Sequence, residues 1–302
     1  MMAPQEEAAP VGPVALVTDS TAALTSSEAR DLRVSVVPLH VVVDDEEFTE
    51  GVDISPQEVI EALRKGRRVS TSRPSPAAML ACYEALADAG ATAIVSAHLS
   101  AQLSGTCDAA HLAAREAPVP VRVVDSGSTG LGLGFAVETA ARELREPEAF
   151  GDGRSAPELA DAVGAALARR TRNSTVLCYV HSLDCLRRGG RIGAAASFLG
   201  GALAIKPIIA LAGGHVEPVE KLRTSGRALA RLAQLAGEAV AAGGPGTRVA
   251  IQHADALDYA ENLAADLVEA ADSELPVQIR ELPAVLSVHL GPGTVAAVIA
   301  PA

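Results

Sequence analysis

Short apolar runs alternate with helix-like segments through the first half of the chain. Residues 14–18, 92–97 and 121–124 are compact apolar runs with the length of buried strands. Helix-starting signals stand between them, including the capping box at residues 25–28 and the pair Ser75-Pro76. Strands that alternate with helices indicate a mostly parallel sheet covered on both faces, so we predict an α/β domain here.

Three further segments complete this first half. Residues 34–43 are predicted to form one strand, and Pro38 within it indicates an edge position or a bulge. A helix is predicted to start at residues 55–58 and to end near Gly66. The next helices are predicted at residues 107–117 and, after a glycine-rich stretch, up to about Glu146.

The second half mixes hairpins with helices, which is typical of an α+β domain. Gly213-Gly214 predicts a hairpin turn. Helices are predicted at residues 158–170, 194–203, 225–242 and 257–271, and strands at residues 175–180, 205–211, 215–219, 249–253, 277–280 and 295–299. The polar segment 147–157 is the predicted boundary. We therefore predict a flexible tail at 1–13, an α/β domain at 14–155 and an α+β domain at 156–302.

A cluster of hydroxyl residues precedes the helix that Ser75 and Pro76 start. The stretch Ser70-Thr71-Ser72-Arg73-Pro74-Ser75-Pro76 holds four hydroxyl side chains, one cation and no acid. Hydroxyl groups beside a helix N-terminus are typical of an anion-binding site. An ordinary capped loop explains the same residues, so both interpretations stay open at this point.

Small hydroxyl residues also follow the predicted parallel strands. They occupy residues 18–21, 100–106 and 125–128, each just past a strand. In open α/β sheets, ligands bind in the crevice beyond the carboxyl ends of the strands. This pattern predicts a binding crevice that the hydroxyl segments share.

Composition narrows the classes of function. The chain has 302 residues, of which 49% are hydrophobic but only 2% aromatic, so the core is aliphatic. A net charge of -12 argues against a nucleic-acid-binding protein. The four cysteines form no C-x-x-C pair, and residues 1–13 carry no apolar signal-peptide core. The apolar region 198–211 is too short to span a membrane, so we expect a cytoplasmic protein.

The familiar catalytic and nucleotide-binding motifs are absent from the sequence. There is no P-loop, dinucleotide fingerprint, G-x-S-x-G elbow or H-E-x-x-H pair. A stand-alone acyl hydrolase or transferase that uses Ser104 or Ser100 as its nucleophile is the alternative function. His289 precedes Gly291-Pro292-Gly293, which is either a plain turn between strands or a special backbone path. Gly189-Gly190 is either a helix end or a loop that directs Arg191.

Taken in order, these segments resemble the DegV family, which includes the fatty-acid-binding subunits of bacterial fatty acid kinase. The resemblance covers nearly all of residues 14–300. The matching pieces are Val17-Thr18-Asp19-Ser20-Thr21, Thr71-Ser72-Arg73-Pro74-Ser75, residues 99–106, Val124-Asp125-Ser126, residues 183–192, Ile205-Lys206-Pro207-Ile208, Lys221-Leu222-Arg223 and residues 289–293.

The resemblance implies two domains with one long-chain fatty acid between them. It implies that the carboxylate is held by hydroxyls and a histidine, within a ligand-binding set of Thr71, Ser72, Ser100, Ser104, His289 and Gly291. It places Arg191 and Arg223 on the side that meets a separate kinase, which brings ATP and Mg²⁺. The chain itself would then have no catalytic site, cofactor or metal.

The sequence departs from the family at three positions of this region. Ala101, Cys107 and Gly130 stand where the family usually has Ser, Tyr and Ser. The first departure removes one hydroxyl from the implied carboxylate site. The other two are expected to reshape the pocket and leave its function unchanged.

Overall fold

The structure is a computed structural model that describes residues 12–146, 153–199, 205–271 and 275–301. The strands are β1 (Val14–Asp19), β2 (Val34–Val37), β3 (His40–Val43), β4 (Glu46–Thr49), β5 (Val69–Ser72), β6 (Ala93–His98), β7 (Val121–Asp125), β8 (Thr175–Tyr179), β9 (Lys206–Ala212), β10 (His215–Leu222), β11 (Arg248–Ala254), β12 (Val277–Glu281) and β13 (Thr294–Ala300). The helices are α1 (Ser26–Leu32), α2 (Pro56–Arg64), α3 (Pro76–Asp88), α4 (Thr106–Ala114), α5 (Leu131–Glu143), α6 (Ala156–Arg172), α7 (Asp184–Arg188), α8 (Ser225–Ala242), α9 (Leu257–Ala270) and α10 (Ala284–Leu290).

A parallel sheet of four strands organises the first domain, in the order β2-β1-β6-β7. One face packs against α5 and α6 through a core that includes Leu16, Leu133 and Leu167. The other face packs against α3 and α4 around Met79 and Tyr83. The prediction of a parallel sheet covered on both faces is confirmed.

A mixed sheet of six strands organises the second domain, in the order β10-β9-β8-β13-β11-β12. Only the β11–β12 pairing is parallel among these neighbours. Helices α8 and α9 cover one face around Leu232 and Ile251. The opposite face supplies residues such as Cys178, Ile209 and Ala296 to the space between the domains. The α+β prediction for this half is therefore confirmed.

A small antiparallel sheet, β4-β3-β5, was not predicted. The single strand expected at residues 34–43 is two strands in different sheets, β2 and β3, with Pro38 in the break. Proline has no N–H to donate to a ladder, so the chain leaves one sheet there and enters another. Strand β5 pairs Thr71 with Val41 and Ser72 with His40, so these hydroxyl residues lie in a strand.

The helix starts were predicted best. Thr25 and Ser55 form the expected capping boxes, and α8 has the predicted bounds. The helix predicted at 194–203 is a 3-10 helix over residues 193–198, and residues 200–204 lie outside the described part. Helix α10 was missed because its run of mostly apolar residues has no clear helical period.

The predicted domain boundary falls partly outside the described residues, since residues 147–152 and most of the tail at 1–13 are not covered. Helix α6, the first element after that boundary, packs on the parallel sheet through Leu159, Val163 and Leu167. A polar segment in the sequence indicates a loop, but it does not show which sheet the following helix packs against. The domain limits themselves therefore stay a prediction.

Polar contacts join the two domains near their edges. Arg280 on β12 donates from Nη1 to Glu28 Oε2 on α1 at 2.7 Å and to Ala23 O at 2.6 Å. These bonds, made chiefly by the Arg280 guanidinium, lower the pKa of Glu28 to about 2. None of the described helices is long and apolar enough to cross a membrane.

Candidate functional site

A cavity of about 410 Å³ lies between the two domains. Its volume falls in the usual range for small-molecule sites. The aliphatic side of the lining comes from the six-stranded sheet, from α7 and α10, and from connecting segments. It comprises Leu39, Leu99, Leu103, Val176, Leu186, Ile209, Ala210, Leu211, Val216, Leu282, Val285, Leu286, Leu290 and Ala296. The polar side chains of the lining are Thr21, Thr71, Ser72, Arg73, Ser104, Thr129, Arg191, Gln252 and His289. Such a lining suits a long apolar ligand that carries a polar group.

Thr71 and His289 meet at the wall of this cavity, although 218 residues separate them in sequence. The Thr71 Oγ1 to His289 Nε2 distance is 2.8 Å. Thr71 is fixed by the pairing of β5 with β3, and His289 lies in the last turn of α10. The structure thus brings together two residues that the sequence proposed as ligand contacts.

The partly buried imidazole of His289 is neutral at pH 7, because desolvation, with help from the Arg191 charge, lowers its pKa to about 4. Its Nδ1 has no hydrogen-bond partner among the described residues. The tautomer with the proton on Nε2 donates to Thr71 Oγ1 and leaves only a lone pair unpaired. The Thr71 hydroxyl proton is then available to a ligand in the cavity.

Two arginines stand at the cavity and hold the same loop. Arg191 Nε donates to Leu103 O at 2.9 Å, and its Nη1 donates to Gly189 O at 2.6 Å. Arg73 Nη1 donates to Gly105 O at 3.3 Å. Both side chains line the cavity while their residues remain exposed, so positive charge stands at the mouth. Arg73 was not among the ligand-binding residues expected from the sequence, although it lines the cavity.

Ser72 and Ser104 also line the cavity. Ser72 Oγ donates to Glu47 Oε2 at 3.3 Å. An acidic residue beside this hydroxyl was not predicted from the sequence. Ser104 Oγ lies 2.8 Å from Thr106 Oγ1. A second hydroxyl is not a general base, so this geometry lacks the activating partner of a nucleophilic serine.

Ser100 does not reach the cavity, against the expectation from the sequence. It is fully buried, donates to Gly214 O at 2.8 Å and accepts from Gln102 N at 3.2 Å. The hydroxyl is therefore used to hold the turn after β6 against the hairpin of the second domain. This placement corrects the proposal that Ser100 contacts a ligand and removes it as a candidate nucleophile.

Gly291 also does not line the cavity, and its role is structural. It ends α10 with a φ of 80°, which favours glycine. A Cβ on Gly291 would lie 2.9 Å from Cys185 Sγ. Arg223, proposed as a partner contact, is exposed in the turn between β10 and α8 and does not line the cavity.

The three departures from the family pattern have distinct places. Ala101 is exposed, and its N–H donates to Asp125 Oδ1 at 3.1 Å. Cys107 is buried, and burial raises the pKa of its thiol to about 12. Gly130 precedes α5 with a φ of 59°, and Gln252 Oε1 occupies the space beside it. Of these three, only Gly130 lines the cavity.

A buried chain of hydrogen bonds leads from the cavity into the first domain. Thr21 Oγ1 donates to Asp19 Oδ1 at 2.6 Å, and His98 Nδ1 lies 3.0 Å from Asp19 Oδ2. His98 Nε2 lies 2.8 Å from Ser96 Oγ, which lies 2.8 Å from Tyr83 Oη. The order Ser-His-Asp is that of a hydrolase triad, but all three side chains are fully buried. We interpret it as a network that fixes Thr21.

Glu50 holds the N-terminus of α10, the helix that carries His289. Its Oε1 accepts from Val285 N at 2.8 Å. Burial raises the pKa of Glu50 from 4.5 to about 7. The folded state therefore holds this proton more tightly than the unfolded chain does. The free energy of unfolding should fall as the pH rises from about 4.5 to about 7 and should change little above that.

Glu50→Gln should remove this loss of stability. At pH 8 the variant should be more stable than the parent by about 3 kcal/mol, and the difference should vanish near pH 4. Urea unfolding at several pH values measures it. Glu61→Gln, on the exposed face of α2, is the control that should leave the profile unchanged. Parallel profiles for Glu50→Gln and the parent would contradict this account.

Gly189 leaves room for the imidazole of His289. A Cβ at position 189 would lie 2.3 Å from His289 Nδ1. Gly189→Ala should therefore displace the ring, break its bond with Thr71 and weaken ligand binding by roughly tenfold. Gly226→Ala is the control because nothing lies within 4 Å of a Cβ there. Unchanged affinity of Gly189→Ala in a binding titration would show that the imidazole position is unimportant.

Comparison with known proteins finds matches over nearly the whole chain. The family described as "Uncharacterised protein, DegV family" matches residues 13–302. A DegV domain-containing protein of Streptomyces coelicolor is 44% identical over 286 residues, covering 95% of this chain and 98% of its own.

Solved structures give the same result. A DegV family protein from Thermus thermophilus, described by its fatty acid binding, has a TM-score of 0.82 at 31% identity, covering 96% of this chain and 100% of its own. DegV from Bacillus subtilis, described as a fatty acid binding protein, has a TM-score of 0.83 at 28% identity, covering 96% and 99%. With a family match and a close relative over nearly its full length, the chain belongs to the DegV family.

Proposed function

We propose that this protein binds one long-chain fatty acid in the cavity between its domains. The observation that carries the proposal is an aliphatic cavity with polar side chains at its mouth, among them Thr71, Ser72, Arg191 and His289. The fatty acid binding described for the relatives from T. thermophilus and B. subtilis supports it.

The free energy of such binding comes mainly from the acyl chain. Burial of a methylene group is worth roughly 0.8 kcal/mol, so a sixteen-carbon chain gains on the order of 10 kcal/mol before the costs of association. A carboxylate buried without donors would cancel much of this gain. The Thr71 hydroxyl, freed to donate by the Nε2–H of His289, and the Arg191 guanidinium offset that cost.

The same arrangement favours presentation of the carboxylate to a second protein. Arg73 and Arg191 are exposed at the mouth, so a carboxylate beside them is near the surface. In this proposal a separate kinase supplies ATP and Mg²⁺ and converts the bound carboxylate to an acyl phosphate. Phosphoryl transfer depends largely on positioning and electrostatics, which a bound acid and an arginine at the mouth can provide.

Binding rather than catalysis is the role we assign to this chain. Ser104 is the serine at the mouth that the stand-alone hydrolase or transferase would use, but its described partner is Thr106. Among the described residues, no group of three or more His, Cys, Asp or Glu side chains is placed to hold a metal ion. In this proposal the phosphoryl-transfer chemistry belongs to the kinase.

Arg191→Ala should lower kinase-dependent acyl-phosphate formation by roughly tenfold or more, because a charged contact at the mouth is lost. Arg223→Ala tests the second predicted kinase contact and should lower the rate without changing fatty-acid affinity, since Arg223 does not line the cavity. The measurement is acyl-phosphate production with the partner kinase, beside a binding titration. Unchanged rates for both variants would contradict the docking role.

A further inference from the structure

The cavity has a second polar position besides the one at Thr71 and His289. Thr129 and Gln252 both line it at the start of α5. Leu131 N donates to Gln252 Oε1 at 2.8 Å, so Gln252 and the Thr129 segment are in direct contact. The neighbouring walls are aliphatic, formed by residues such as Val176 and Ala296. Two polar side chains in such a wall need an explanation.

Both side chains end in a polar atom without a partner. Gln252 is only 1% exposed, and its Nε2 has no hydrogen-bond partner among the described residues. The bond from Leu131 N fixes the amide so that Oε1 faces the backbone and Nε2 is the unpaired end. Thr129 Oγ1 is also buried and unpaired in the described part of the chain. A buried donor without an acceptor is costly, so a polar ligand atom would be favoured there.

This position is built from other elements than the carboxylate position. Gln252 lies on β11 and Thr129 after β7, whereas Thr71 lies on β5. Leu282 N donates to His253 O at 2.7 Å, which ties the start of the α10 segment to β11. His289 lies in the last turn of α10, at the opposite end of this helix. The carboxylate position and the second position are therefore formed by different elements of the cavity wall.

Gly130 makes room for the amide of Gln252. Its φ is 59°, and a Cβ there would lie 2.5 Å from Gln252 Oε1. A side chain at position 130 would therefore displace the amide from the N-terminus of α5. The glycine at this position, where the family usually has serine, and the amide of Gln252 form one local arrangement. It distinguishes this end of the cavity from a purely apolar one.

We propose that the ligand is a long-chain acid with a second oxygen, a hydroxyl or oxo group, along its chain. The proposal rests on the proposed fatty-acid function and specifies its substrate class. The ligand oxygen accepts from Gln252 Nε2, and a hydroxyl ligand also bonds with Thr129 Oγ1. A plain saturated chain would leave both groups unpaired, so the cavity discriminates between the two kinds of acid.

The test is a competition titration of the full-length, delipidated protein. The probes are stearic acid and a panel of monohydroxystearic acids with the hydroxyl at different positions. At least one hydroxy acid should bind roughly five- to thirtyfold more tightly than stearic acid. Thr129→Val and Gln252→Leu should abolish that preference without weakening stearic acid. Thr139→Val is the control and should keep the preference, because the Thr139 hydroxyl donates to Phe135 O within α5.

Each outcome separates the two proposals. If stearic acid binds and no hydroxy acid is preferred, a trapped water satisfies the amide and the substrate class is wrong, while the fatty-acid function stands. If none of the acids binds, the fatty-acid function fails and this inference falls with it. Should Gln252→Leu fail to fold through loss of its bond to Leu131, Thr129→Val decides, since the Thr129 hydroxyl has no described bond to lose.

Discussion

Thr71→Val should lower the affinity for a long-chain fatty acid by roughly 10- to 100-fold. A hydrogen bond to a charged group is worth about 1.5–3 kcal/mol, and valine removes the hydroxyl that donates to the carboxylate. The change also removes the partner of His289 Nε2 at 2.8 Å, which leaves this imidazole N–H unpaired. Displacement of a fluorescent fatty acid measures the affinity, and thermal unfolding checks that the variant folds.

Ser70→Ala is the matched control for that experiment. Ser70 precedes Thr71 in β5 but is exposed and does not line the cavity. Its replacement should leave the affinity unchanged within about twofold, as expected for a surface substitution. Equal losses for Ser70→Ala and Thr71→Val would mean that the effect comes from the strand rather than from the Thr71 hydroxyl.

Ala296→Phe should shorten the acyl chain that the protein accepts. Ala296 is buried in β13 and lines the cavity. A phenyl ring there displaces roughly three methylenes, at about 0.8 kcal/mol each, so the affinity for stearic acid should fall roughly 50-fold. Shorter acids that end before the ring should bind as they do to the parent. A titration across a series of chain lengths measures the change.

The control for the phenylalanine is Ala77→Phe, at an exposed position in α3. It should leave the whole chain-length profile unchanged. Overpacking at Ala296 itself can cost about 1–3 kcal/mol of stability, so unfolding is measured in parallel. If Ala296→Phe folds and binds every chain length as the parent does, the acyl chain does not occupy this cavity.

Local signals predicted most of the fold. The apolar runs of β1, β6 and β7 and the caps of α1 and α2 are decided within a few residues, so the sequence shows them directly. The split at Pro38 and the small sheet of β3, β4 and β5 depend on pairing between distant segments, which local patterns do not reveal. The packing of α6 on the parallel sheet was not predicted for the same reason, because it depends on contacts between distant segments.

The candidate site was predicted less completely. The structure places Thr71, Ser72, Ser104 and His289 on one cavity, and their contact with a ligand stays a prediction. Ser100 has the right residue type in the right segment, but its hydroxyl is used by the hairpin of the other domain. Contacts between distant segments of this kind leave no local sequence signal.

Two parts of the site were missed for a related reason. Gln252 lies on a buried strand of the second domain and becomes a lining residue only because α5 of the first domain begins beside it. Arg73 was not expected in the site, yet this exposed residue lines the cavity mouth, where its side chain donates to Gly105 O. Gly130, which stands where the family usually has serine, was a sequence signal close to Gln252. The structure was needed to show that this glycine makes room for the amide of Gln252.

Mass spectrometry of the lipid released by denaturing the purified protein tests the central claim most directly. The account predicts that protein purified from cells carries a long-chain fatty acid at about one molecule per chain. It also predicts that Thr71→Val purified in the same way carries less. Recovery of no fatty acid, together with no uptake when stearic acid is added to the purified protein, would contradict it.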